Sequence, residues 1–109
     1  MNLDDLILEL QKHPRSLVVP AGFGGQGHSD RGDYSNLAFE PRERVTVGEM
    51  LDCARGRMGT LIIGYKGGSF LVQGSTEVYI GEDSSQCGEP VTPLLLRYMI
   101  GCAKHGIFI

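Results

Sequence analysis

The chain has 109 residues, with 41% hydrophobic and 21% charged side chains and a net charge of -3. That describes one domain spanning residues 1–109, large enough to fold alone and too small to hide a large active-site cavity within one subunit. The acidic balance excludes an extended DNA or RNA surface, which must neutralise many phosphates at once, and no apolar run approaches the ~20 residues that span a bilayer.

In chain order, Asn2 caps a first helix whose opening turn carries Asp4 and Asp5, suited to the positive end of the helix dipole. Leu3, Leu6, Ile7 and Leu10 fall at i, i+3, i+4 and i+7 and give it one apolar face, and His13-Pro14 ends it. Ser16 to Ala21 reads as a short strand that Pro20 terminates. A polar, glycine-rich loop follows from Gly22 to Asn36, and Ser35 to Glu40 forms a second strand stopped by Pro41. Such a long polar loop in a small domain points to a task of its own.

Thr46-Val47-Gly48-Glu49 is a capping box, with Val45 and Met50 placed as a hydrophobic staple. Val47, Met50, Leu51, Ala54 and Met58 then mark a second helix that ends at Gly59. Thr60 to Tyr65, Ser69 to Gln73 and Thr76 to Gly81 read as a three-stranded meander, divided by Gly67-Gly68 and Gly74-Ser75. After a turn-forming stretch from Glu82 to Glu89, Thr92-Pro93 opens a third helix. Leu95, Tyr98, Met99 and Cys102 define its face, while Leu94, Leu96 and Ile100 make it apolar nearly all round. A helix of that kind needs two neighbours, which predicts a homo-oligomer contact beside the contact with the sheet. Ile107-Phe108-Ile109 is apolar enough to pack on the domain. The expected fold class is α+β, a small antiparallel sheet packed against three helices in a single domain.

Gly22, Gly24 and Gly27 match G-x-G-x-x-G, but no helical stripe follows, so a dinucleotide turn is rejected. Gly59 and Gly64 have phosphate-loop spacing, yet Tyr65 stands where that loop has its lysine. Two segments remain as candidate ligand contacts. In the first, His28 and Arg31 can hold phosphate, Ser29, Asp33 and Asn36 can hydrogen-bond, and Tyr34 can pack on a base or ribose. In the second, Tyr65, Lys66 and Gly67 bring an aromatic face, an ammonium and a turn amide together. Each segment can equally be an ordinary solvated loop or hairpin turn.

The three cysteines, Cys53, Cys87 and Cys102, fit neither a disulfide framework nor a zinc pattern and read as free core thiols. His13, His28 and His105 are scattered, and no metal site, cofactor or catalytic constellation is expected. The acidic start, Met1-Asn2-Leu3-Asp4-Asp5, carries no export signal, so a cytoplasmic protein is expected.

The chain resembles a family of small tailed-phage proteins. The resemblance rests on His28-Ser29-x-Arg31-Gly32-x-Tyr34, Leu37-Ala38-Phe39-Glu40-Pro41, Thr46-Val47-Gly48-Glu49-Met50-Leu51, Gly64-Tyr65-Lys66-Gly67-Gly68 and Thr76-Glu77-Val78-Tyr79, in that order. It implies a phage origin, a bacterial host cytoplasm and no set chemistry. Small phage proteins of this size often counter bacterial immunity, some by sequestering nucleotide messengers. The expectation is therefore a non-enzymatic sponge for a small anionic signalling nucleotide, linear or cyclic. The alternatives are an inhibitor that binds a host defence protein directly and a nucleotide-cleaving enzyme with His28 as general base.

Overall fold

The computed structural model describes residues 1–30, 36–63, 68–81 and 88–105, with Lys104 and His105 described by their backbone alone. Helix α1 spans Leu3–Gln11, and the Asn2 side chain accepts a hydrogen bond from the Asp5 amide at 2.9 Å, as the capping pattern requires. Leu3, Leu6 and Leu10 bury its apolar stripe. Helix α2, Val47–Arg57, is capped by Thr46, whose Oγ1 accepts from the Glu49 amide at 3.1 Å. Its expected stripe is buried at Val47, Met50, Leu51 and Ala54, while Met58 leaves the helix as its C-cap and is exposed. Helix α3, Pro93–His105, starts where Thr92 Oγ1 accepts from the Leu95 amide at 3.0 Å.

Among the described residues six strands complete the fold: β1 (Val18–Ser29), β2 (Leu37–Thr46), β3 (Leu61–Ile63), β4 (Ser69–Leu71), β5 (Val78–Ile80) and β6 (Glu89–Pro90). One sheet has the order β1-β2-β5-β6, and β3-β4 form a separate hairpin. The α+β class holds, with a mainly antiparallel sheet that contains one parallel pair, β2 with β5.

The expected meander is corrected by that parallel pair. Parallel neighbours need a long crossover, which α2 and the β3-β4 hairpin supply together. Short apolar runs with glycine turns look alike whether the next strand returns to the same partner or crosses to another.

The two proline boundaries are also corrected. β1 continues through Pro20 and the supposed loop as far as Ser29, and β2 continues through Pro41 to Thr46. Proline removes a ladder donor, which an edge strand tolerates. Among the described residues β1 is the edge of its sheet, and β5 pairs with β2 only from Leu37 to Phe39, so no described strand pairs with the second side of β2 at Pro41. Opposite Pro20, Arg44 adopts φ 53°, a left-handed conformation that marks local irregularity in the ribbon.

The core is continuous through all three helices and the sheet, with Phe23, Phe39, Leu3, Leu6, Leu10, Leu37 and Met50 among its largest fully buried side chains. The Phe23 and Phe39 rings meet across the β1-β2 ribbon, their centroids 5.2 Å apart. On α3 the buried residues are Leu96, Met99, Ile100 and Cys102, whereas Tyr98, expected on the inward face, is exposed. Cys53 is half-buried and Cys102 buried, both as free thiols, and Cys87 lies outside the described residues, as does Ile107 to Ile109. No described helix is long and apolar enough to cross a membrane.

Candidate functional site

The far end of the β1-β2 ribbon is where pairing becomes irregular. Register shifts between Gly24 and His28, and Gly25 and Gly27 take φ values of 85° and 79°, which side-chain-bearing residues rarely adopt. A recess of about 360 Å³ opens there, lined by Gly25, Gln26, Gly27, His28, Glu40 and Arg42. It is a widened part of a strand, whereas the sequence suggested a free loop.

Glu40 and Arg42 of this lining, together with Arg57, shape the recess. Arg42 Nη2 contacts Glu40 Oε2 at 2.7 Å, a pair two positions apart on one strand face and about half exposed. Arg57, in the last turn of α2, donates from Nε to the Gln26 carbonyl. At Gly27 a Cβ would lie 2.9 Å from Leu37 Cδ1 and 3.6 Å from Arg57 Cγ, so glycine keeps the strand close to both the core and this arginine. Two guanidinium groups therefore flank a glycine-lined strand.

Ser29 is buried, and Asp30 beyond it is 2% exposed, with its amide donating to the Asn36 carbonyl at 2.9 Å. Asp30 Oδ1 accepts from the Gly88 amide at 2.8 Å, tying the end of β1 to the approach to β6. Cys53 adjoins the recess through the Gly25 backbone, and burial pushes its thiol above the usual range despite that hydrogen bond. It remains a neutral thiol near pH 7, which suits packing better than nucleophilic attack.

Of the residues expected from the sequence to bind ligand, His28 is half-buried in β1 and paired with Ala38, Ser29 is paired with Leu37, and Asn36 is half-buried at the entry to β2. Arg31, Asp33, Tyr34, Tyr65, Lys66 and Gly67 lie outside the described residues. The structure adds Asp30, Glu40, Arg42 and Arg57, which sequence reading missed. Extending β1 through Pro20 would have revealed two of them, since the register sets Gly22 opposite Arg42 and Gly24 opposite Glu40.

Among the described residues, no group of three or more histidine, cysteine or acidic side chains is placed to hold a metal ion. No protein-family model, curated protein or solved structure matches the chain.

Proposed function

We propose that this protein binds a small anionic, nucleotide-derived molecule at the glycine-lined recess and acts by holding it intact. The observation that carries the reading is the convergence of Arg42, Arg57 and His28 on strand positions Gly25 to Gly27. Arginine offers a planar fork that matches phosphate oxygens, and glycine lets a ligand approach the backbone closely. The Glu40 carboxylate acts as a resident partner of Arg42. An exposed pair of this kind is worth only about 0–1 kcal/mol, so a phosphate can displace it. Arg31, Tyr34, Tyr65 and Lys66, outside the described residues, remain candidates from the sequence for contacts to phosphate and base.

Together with the sequence resemblance, this reading makes the chain a phage accessory protein that sequesters a signalling nucleotide of host immunity in the bacterial cytoplasm. Native mass spectrometry against a panel of linear and cyclic nucleotides, followed by heat release and chromatography, tests it. The expected result is an intact nucleotide at fixed stoichiometry, with affinity reduced about 10–100-fold in Arg42→Ala, as loss of a charged hydrogen-bond partner implies. A converted product would instead indicate an enzyme, and a clean spectrum across the panel would overturn nucleotide binding. Direct inhibition of a host protein is the second reading, favoured by Leu61 and Ile63, which are 68% and 79% exposed on the β3-β4 hairpin.

A further inference from the structure

His28 lines the recess with Glu40 and Arg42, half-buried at the point where β1 resumes its pairing, opposite Ala38 and two residues along β2 from Glu40. Imidazole is the side chain whose charge ordinarily changes between about pH 5 and 8. Carboxylates and guanidinium groups ordinarily titrate outside that range, and the charged groups that share the recess with His28 are of those kinds: Glu40 and Arg42 from β2, and Arg57 from α2. The Cys53 thiol of α2, pushed up by burial, is neutral there. The sequence holds three histidines, of which His13 follows α1 and His105 ends α3, so no residue outside the described ones adds another. The Met1 amino group, which can also titrate near neutral pH, donates to the Val91 carbonyl beside β6.

We propose that His28 makes the hold on the ligand pH-dependent: protonated, it adds a third cation beside Arg42 and Arg57, so the recess grips an anion more tightly in mild acid and loosens as pH rises. This rests on the reading of the recess as an anion site. Without ligand, the two guanidinium groups oppose a charge on His28 and Glu40 supports it. A bound anion tips that balance towards the imidazolium. By linkage, the anion then favours the proton by the same factor as the proton favours the anion, so binding takes up a proton.

Calorimetry of the full chain with cyclic AMP, cyclic di-AMP and the dinucleotide ApA tests the proposal, because a phosphodiester keeps its negative charge across the range and cannot itself supply the dependence. Wild-type affinity is expected to rise about 10-fold from about pH 8 to about pH 5.5, the scale of one charged hydrogen bond. Proton uptake shows as a binding enthalpy that varies with the ionisation enthalpy of the buffer. His28→Asn is expected to bind weakly with neither slope nor uptake, and His28→Lys, whose charge is permanent, to bind tightly with a flat profile. His13→Asn/His105→Asn is expected to keep the wild-type profile. Binding with a flat wild-type profile, or a slope that survives in His28→Asn, would overturn the role of His28 and leave the anion site standing. No binding of any of the three probes at any pH would overturn the anion site, and the inference with it.

Discussion

Gly22 and Gly25 lie three residues apart on one strand and are glycines for opposite reasons. At Gly22 the space is already filled, since a Cβ would sit 2.5 Å from Val45 Cγ1 and 2.8 Å from Met50 Sδ. At Gly25 the backbone has φ 85°, while the nearest atom to a Cβ, Arg42 Nη2, is 3.4 Å away. The first glycine serves the core and the second frees the backbone for the recess. One residue type in one motif thus marks the boundary between the part of the ribbon that holds the fold together and the part available to a ligand.

The largest effect is expected deep in the packed half. Phe39→Ala removes a ring buried against Phe23 and should lose about 3–5 kcal/mol in chemical denaturation, with any anion binding falling only as the folded fraction falls. The paired glycines come next. Gly22→Ala should destabilise by about 1–3 kcal/mol through overpacking. Gly25→Ala should lose about 1–2 kcal/mol through its left-handed backbone, and it alone should also weaken ligand affinity among the remaining folded molecules. Equal effects of the two substitutions on affinity would erase the boundary.

Local chemistry made much of this fold legible. Asn2, Thr46 and Thr92 announced three helix starts because a cap needs only a side-chain oxygen and the next turn. Strand ends were less legible, because whether a proline stops a strand depends on what lies on its far side. Pro20 and Pro41 are carried through for that reason, and with them Gly22 to Ser29 changed from loop to strand. Arg42 and Arg57 were hidden by the same misreading, since they reach the recess only through strand register and the packing of α2. The parallel placement of β5 left no local trace at all.

A subtler test of the ligand-facing half is Glu40→Gln, which removes the carboxylate that now occupies Arg42. Anion affinity measured by calorimetry should rise by about 2–5-fold, the scale of releasing an exposed ion pair, with stability nearly unchanged. A fall in affinity would mean that Glu40 itself contacts the ligand and would reassign the recess to a hydroxyl-bearing or cationic group.

The smallest effect lies outside both halves, at the surface pair Arg15 and Asp52, 2.8 Å apart with both side chains more than half exposed. The hydrogen bond from Arg15 holds the Asp52 carboxyl below its ordinary value of 3.8. A carboxyl lowered by folding adds stability that is present above its unfolded value and lost as pH falls through the folded one. Asp52→Asn should therefore be slightly less stable than wild type at neutral pH, and the two unfolding curves should converge as pH drops below 3.8. Added salt should narrow the neutral-pH gap as well, because exposed charges are screened. A difference that persisted in acid would assign the effect to packing of the Asp52 side chain, and this peripheral contact would then belong with the core in the comparison.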